Sequence, residues 1–277
     1  MTMTPTSRTV VLDPDRNVPG VRRQGFPDAL RAEWIKFWSV RSTVWSTGML
    51  FVLGAGLTVL VCATSADWLA SSKADESPGS FVTWGMMFAQ ITAVVLGAMT
   101  VTSEYGTGMI RATLAATPHR GTVLAAKGVV LTSTLFVVGT VTAFTGYLAG
   151  NWFLDNAGVG VSLSDDGVLR SMFGSGLYLA VLGVFAAAVG LLVRHTAAAL
   201  SIVLALVFVV GTMVFLLPGA WGEWVAKLMP GNAGGEIATP VSFNPDLLAP
   251  WVGFAVFSGE VAAVLLVAYL VFRRRDA

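Results

Sequence analysis

Residues 103–127, SEYGTGMIRATLAATPHRGTVLAAK, form a charged connection between two uncharged stretches, each long enough to cross a bilayer. Gly106 and Gly108 loosen the start of this connection, and Pro118 disfavours the helical conformation at the residue before it. The pattern predicts a short helix that ends there, with Thr117 as the N-cap of the next helix. Such a short helix between two long ones is the segment expected to meet a soluble partner.

Composition places the rest of the chain in a membrane. Of the 277 residues, 55% are hydrophobic and only 12% are charged, which is too little charge to cover the surface of a soluble protein of this length. Uncharged runs of about 20 residues match a hydrocarbon core of about 30 Å. The fold class is therefore predicted to be an all-α integral membrane protein with six transmembrane helices, at Val44–Ala63, Phe81–Ser103, Gly128–Gly150, Ser171–Val193, Ala197–Leu217 and Trp251–Phe272.

The ends of the chain indicate its domain organisation. Residues 1–25 are polar and lack the apolar core of a secretory signal, so they are predicted to be a disordered cytoplasmic tail. Residues 26–277 are predicted to form a single transmembrane domain. The one cysteine, Cys62, excludes an internal disulfide and a cysteine metal cluster.

Basic residues predict the orientation. With six spans, 14 of the 17 Lys and Arg residues fall on the side of the membrane that holds both termini and the 103–127 connection. The positive-inside rule places that side in the cytoplasm. An even number of spans agrees with this assignment.

Two further short helices are expected outside the spans. Pro27–Arg41 has helical spacing, with Leu30, Trp34, Phe37 and Trp38 on one face and Arg31, Lys36 and Arg41 favouring the other. This pattern favours an interfacial helix, the alternative being an extension of the first span. Between the last two spans, Trp221, Trp224, Val225 and Leu228 predict short re-entrant helices at the outer surface.

Small residues spaced four apart indicate close packing of the spans. They allow helix backbones to approach each other where lipid provides no hydrophobic drive for association. The pairs are Gly139/Ala143, Gly146/Gly150, Gly183/Ala187 and Ala186/Gly190.

The sequence lacks the residues of common catalytic sites. It has no Gly-x-x-x-x-Gly-Lys phosphate loop, so the chain does not build the usual ATP site. Its two histidines, His119 and His195, lie at predicted cytoplasmic turns rather than inside the bundle, where intramembrane hydrolysis would need them. The prediction is a protein that is not an enzyme and has no catalytic, cofactor or metal residues of its own.

Two carboxylates are candidates for function. Glu104 closes the second span, where it is either a simple membrane-edge carboxylate or an anchor for the short helix through Arg111 or Arg120. Glu260 is the one ionisable residue inside a span, about nine residues or roughly 13 Å from its outer end. A carboxylate at that depth is costly unless it is protonated or paired. Its role is either functional, as a cation, substrate or gate contact, or structural, as a carboxyl bonded to a Ser or Thr.

The layout and the connection resemble the permease subunit of type 2 ATP-binding cassette (ABC) exporters over about residues 28–275. The resemblance is carried by a loose pattern and by the order of an interfacial helix, six spans and short outer helices. The residues of that pattern are Glu104, Gly106, Thr107, Leu114, Pro118, Arg120 and Lys127. In this family a carboxylate ends the second span, and a cytoplasmic coupling helix follows it and docks on a separate ATPase.

The resemblance implies partners and site residues. The partners would be an ABC ATPase subunit, which carries the ATP, a second or related permease, and the lipid of a bacterial plasma membrane, with no nucleic acid. The coupling residues would be Glu104, Gly106, Thr107, Met109, Arg111, Leu114, Pro118 and Arg120. Two other classes stay open: an ion-coupled secondary transporter using Glu260, and a membrane scaffold or sensor that transports nothing.

Overall fold

The computed structural model describes residues 25–72, 74–116 and 120–274, with the backbone alone for residues 111 and 114–116. Within these ranges the chain is helical and contains no strand. The predicted tail lies outside the described residues except for Gly25, and so does the predicted cap at Thr117 and Pro118.

Six helices are long and apolar enough to cross a membrane, as predicted. With the short helices included, we number them in chain order. The four short ones are α1 (Phe26–Ser39), α4 (Met109–Ala116), α8 (Gly219–Leu228) and α9 (Pro230–Gly235). The spans are α2 (Arg41–Leu69), α3 (Met86–Gly106), α5 (Arg120–Asn156), α6 (Val168–Val193), α7 (Thr196–Leu216) and α10 (Pro250–Arg274).

Four predicted boundaries move by five residues or more. The first span ends at Leu69 rather than Ala63, and the third ends at Asn156 rather than Gly150. The second span begins at Met86 rather than Phe81, because residues 81–85 form turns after the 3-10 helix Pro78–Ser80.

The third span begins at Arg120 rather than Gly128 and is 37 residues long. The predicted span counted only the uncharged run, whereas the helix also includes Lys127, whose side chain is buried in ion pairs.

The bundle is built around α6. In its most apolar window 67% of the residues are buried, compared with 61% in α3 and 17% in α10. The core side chains of α6 include Met172, Leu179 and Leu182, all fully buried. Helices α2, α7 and α10 therefore lie at the periphery, with most of their apolar surface available to lipid or to another chain.

Small residues mark the close approaches between spans, as the sequence predicted. A methyl group on Gly146 would lie 3.3 Å from the backbone of Ala55 in α2, and one on Gly139 would lie 3.0 Å from Gly176 in α6. The tightest approach joins α3 to α6, because a methyl group on Gly97 would overlap the carbonyl group of Gly183.

The α1 helix is separate from the first span. Val40 between them is extended (φ −84°, ψ 118°), which ends α1 before α2 begins. Phe37 is buried against the bundle, as its place on the apolar face predicted. Lys36, which the sequence placed on the polar face, turns towards the protein and contacts Glu104.

The two ends of the bundle differ in charge. We call the end that contains α1, α4 and the last turn of α10 the basic end, and the end that contains α8 and α9 the acidic end. At the acidic end, Arg170 in α6 donates hydrogen bonds to the carbonyl oxygens of Glu236, Thr239 and Pro240, at 3.1, 3.1 and 3.0 Å. These bonds hold the segment after α9 over the end of the bundle.

Candidate functional site

The short α4 helix begins after a tight turn. Thr107 caps the end of α3 by donating its hydroxyl to the carbonyl oxygen of Ser103 at 2.9 Å. Gly108 then adopts φ 70°, a left-handed conformation that suits glycine. The Gly106–Gly108 segment therefore ends the second span and sets α4 off as a separate helix, as the sequence predicted.

Ile110 attaches α4 to the basic end of the bundle. Its side chain is 7% exposed and packs in a cluster with Val101 of α3, Leu191 of α6 and Phe272 of α10. Met109, next to it, is 43% exposed. The helix thus joins, through Ile110, an apolar cluster formed by three spans, and it presents Met109 on the surface.

Glu104 lies one turn before α4 and is fully buried. Its Oε1 atom accepts hydrogen bonds from two ammonium groups, that of Lys36 in α1 and that of Lys127 in α5. Lys127 Nζ also donates to Glu33 Oε2 in α1 at 2.8 Å. We call these four residues the ion-pair cluster; it joins α1, α3 and α5 beside the start of α4.

The charges of the ion-pair cluster balance, two carboxylates against two ammonium groups. Burial, together with the neighbouring ammonium group of Lys127, lowers the pKa of Lys36 to about 8. Glu104 Oε2 is also buried, and it has no hydrogen-bond partner among the described residues. A buried carboxylate with one unsatisfied oxygen depends strongly on its two lysines.

A buried ion pair adds little stability relative to an apolar replacement, but removing one partner costs about 3–5 kcal/mol. The main effect of the ion-pair cluster is therefore to fix the relative positions of helices rather than to add stability. Because all four side chains must meet, it fixes the position of α1 relative to the two spans that α4 connects.

The start of α5 is also attached to the bundle. Arg120, the first residue of α5, donates to the carbonyl oxygen of Phe272 at 2.7 Å, and its guanidinium lies 5.5 Å from the centre of the Phe272 ring. Nearby, the Arg194 guanidinium lies 5.0 Å from the centre of the Tyr105 ring. These contacts join the ends of α3, α5, α6 and α10 at the basic end.

The structure brings several of the predicted coupling residues together. Glu104, Gly106, Thr107, Met109 and Arg120 all lie at the basic end around α4. The side chains of Arg111 and Leu114 are outside the description, and Pro118 is outside the described residues.

The ion pairs of Glu104 are with residues that the sequence did not assign to it. Arg111 and Arg120 were the predicted partners, whereas the observed pairs are with Lys36 and Lys127. Lys127 had been named as a charge of the connection and as part of the family pattern, but not as a partner of Glu104. The signal that could have found this pair is the position of Lys127 about two turns inside a largely apolar helix, where a lone lysine needs a partner.

Glu260 lies in the middle of α10, as predicted. It is partly exposed, and its Oε2 atom is buried without a hydrogen-bond partner in the described part of the chain. The predicted bond from a Ser or Thr of the bundle is not made to that oxygen. The residue lies on the least buried of the six spans.

An apolar groove of about 950 Å³ runs between α5, α6 and α10. Leu124, Phe136, Val184 and Leu265 are among the side chains that line it. Gly128 also lines it, and a methyl group there would meet nothing within 4 Å. The groove lies between spans, and its lining is almost wholly apolar.

The six apolar helices and the paired charges at one end define a multi-pass helical membrane protein. The chain belongs to the family described as protein of unknown function (DUF2705), whose model matches residues 79–277. The match includes α4 and both Glu104 and Lys127, but it begins after α1 and α2. A comparison with curated proteins finds no match.

Proposed function

We propose that this chain is the membrane-spanning permease of an ATP-driven ABC exporter, and that α4 couples it to a separate ATPase subunit. The observation that carries the proposal is the construction of the basic end. A short helix with an exposed residue, Met109, inserts Ile110 into an apolar cluster of three spans and is preceded by a fully buried, doubly paired carboxylate. Such a helix can receive force from a soluble partner and pass it to the bundle.

The connectivity supports transmission through α4. This helix joins α3 to α5 directly, and α3 makes the tightest contact with the central helix α6, at Gly97 and Gly183. The ion-pair cluster adds α1 to the same unit. A displacement of α4 therefore moves two spans and α1 together, because packed interiors do not deform continuously.

The remaining parts of the proposal concern orientation and assembly. The excess of Lys and Arg at the basic end supports a cytoplasmic position for it, and in the proposed exporter an ATPase would meet α4 on the cytoplasmic side of a bacterial plasma membrane. ATP binds to that partner. A second copy or a related permease would pack against the peripheral spans α2 and α7, whose apolar windows are only 33% and 28% buried in one chain.

A thiol cross-link between α4 and the ATPase tests the proposed contact. Cys62 is buried and is the only cysteine, so a Met109→Cys substitution in a Cys62→Ala chain provides a single accessible thiol. We expect a short cross-linker with one maleimide and one amine-reactive end to join it to a lysine of the ATPase that co-purifies with this chain. Met87→Cys is the matched control, since Met87 is 51% exposed at the other end of α3. Equal cross-linking at both positions, or none at Met109→Cys in an assembled complex, would contradict the proposal.

One observation favours a second candidate, an ion-coupled transporter that uses Glu260. Its buried, unpartnered Oε2 atom could receive a proton or a cation in the membrane. The two candidates separate in vesicles with a fixed ion gradient. The exporter stops when ATP is removed and tolerates Glu260→Gln, whereas the ion-coupled transporter responds in the opposite way.

A further inference from the structure

A second cavity, of about 400 Å³, lies at the acidic end between the start of α3 and the segment around α9. Its volume is within the range of about 300–1,000 Å³ that is typical of small-molecule sites. Large apolar side chains, among them Trp84, Met87 and Phe243, form part of its wall. Gln90, Asn232 and Glu236 provide polar groups on the same wall. This combination of apolar surface with a few polar groups is that of a ligand site.

Glu236 is the one charged side chain among the described residues that line this cavity. Arg170 acts on Glu236 from outside the cavity, where its guanidinium donates hydrogen bonds to three backbone carbonyl oxygens. The surrounding segments reinforce the negative sign. The connections at the acidic end hold nine Asp and Glu residues against three Lys and Arg residues in the sequence. A cavity in such a field attracts cations.

The amide groups of the cavity are already fixed by the protein. Gln90 Oε1 accepts a bond from the buried hydroxyl of Tyr178 at 2.6 Å, and Gln90 Nε2 donates to the carbonyl oxygen of Met87 at 2.9 Å. Asn232 Nδ2 donates to the carbonyl oxygens of Gly211 and Ala226, at 3.1 and 2.9 Å. With these donors engaged, oxygen acceptors remain for a ligand.

Two aromatic rings of the cavity wall are held by neighbouring rings. The Trp84 ring lies 5.5 Å from that of Phe88, and the Phe243 ring lies edge-on to that of Phe81 at 6.1 Å. Aromatic faces attract cations through the ring quadrupole, and the attraction grows when the cation leaves water. Held rings also lose little conformational freedom when a ligand binds.

We propose that this cavity binds an amphipathic organic cation, with its charge near the Glu236 carboxylate and its apolar part against Trp84 and Phe243. Binding of the cation needs only this chain. That the cation is also the transported substrate rests on the proposed exporter function.

Binding of two probes of opposite charge and nearly equal shape tests the proposal. The probes are tetraphenylphosphonium and tetraphenylborate, and their dissociation constants are measured by equilibrium dialysis on the purified full chain in a neutral detergent. We expect the phosphonium to bind at least tenfold more tightly than the borate, after correction for partitioning into empty micelles. Equal binding of the two probes, or tighter binding of the borate, would overturn the assignment of a cation site.

Matched variants locate the binding. Glu236→Gln should weaken phosphonium binding about tenfold, whereas Glu223→Gln, which removes an exposed carboxylate of α8 outside this cavity, should leave it within about twofold. Trp84→Leu provides a second variant that does not touch the charge, and it should also weaken binding. Equal effects of Glu236→Gln and Glu223→Gln would show that the overall negative charge of the acidic end, and not a specific site at Glu236, attracts the cation. That result would overturn the proposal.

The test stands apart from that of the exporter function, because no ATPase is present in it. Phosphonium binding without a cross-link at Met109→Cys would support the cation site and contradict the exporter function. A cross-link without phosphonium binding would support the exporter function and contradict the proposed class of substrate.

Discussion

Lys127 Nζ in α5 lies 2.8 Å from Glu33 Oε2 in α1, although 94 residues separate the two in the chain. The same ammonium group also contacts Glu104 at the end of α3. One lysine thus joins the helix that precedes the spans to the two spans that α4 connects. The arrangement makes Lys127 and Glu104 the residues on which the geometry of the basic end depends.

Removing Glu104 alone should be costly. Glu104→Leu leaves the buried ammonium group of Lys127 without one of its two carboxylates, and we expect a loss of about 3–5 kcal/mol in the free energy of unfolding. Glu104→Leu combined with Lys127→Met should recover part of that loss, since the more deeply buried of the two ammonium groups no longer faces an apolar side chain. Denaturation of the purified chain in detergent measures both. A double variant less stable than the single one would contradict the assigned ion pair.

Lys36 should titrate at about pH 8, because burial and the neighbouring Lys127 disfavour its charged form. A lowered lysine pKa means that the unfolded chain binds more protons than the folded one between about pH 8 and 10.5, so this group makes the free energy of unfolding rise with pH across that window. The pH profile of Lys36 acylation, read by mass spectrometry, reports the pKa. Lys127→Met should raise the pH midpoint of Lys36 acylation. An unchanged midpoint would show that the two lysines do not interact.

The contact between α3 and α6 should not tolerate a methyl group. Gly97→Ala would place its Cβ against the carbonyl group of Gly183, and overpacking of this kind costs about 1–3 kcal/mol or more. Gly128→Ala is the matched control, because a Cβ there meets nothing within 4 Å and alanine is the better helix former. Thermal unfolding in detergent should show a lower midpoint for the first variant only. Equal midpoints would mean that the two spans do not approach as described.

Thiol labelling should place α4 in the cytoplasm. In the Cys62→Ala background, Met109→Cys should react with a membrane-impermeant maleimide in inverted vesicles but not in intact cells. Trp221→Cys, an exposed position of α8 at the acidic end, should give the reverse pattern. If both positions react from the same side, the number of spans is odd and the orientation is wrong.

The periodic features of the fold could be predicted from the sequence. Six apolar runs, the break at Gly106 to Gly108 and the helix at Trp221 follow from local rules of length, conformation and spacing, and the structure contains all of them. The small residues predicted to face other helices do so, as Gly139 and Gly146 show. Each of these features depends on residues that are close together in the chain.

The pairing of charges could not be predicted in the same way. Glu104 meets Lys36 and Lys127, which are 68 and 23 residues away, and local rules do not indicate which faces of α1, α3 and α5 meet. The cavity at Glu236 was missed for a similar reason. Glu236 lies in a segment rich in Gly and Pro, and the cavity wall includes Trp84, just before α3, and Gln90 within α3, both far away in the sequence.

If α4 transmits the action of an ATPase to the spans, as we propose, a thiol at the far end of α3 should respond to ATP. In the assembled complex, the labelling rate of Met87→Cys in the Cys62→Ala chain is compared with and without ATP and vanadate. We expect a several-fold change in rate when Ile110 is intact, and no change when Ile110→Glu detaches α4 from its apolar cluster while the ATPase stays bound. The same change in rate with and without the Ile110 contact would contradict the account.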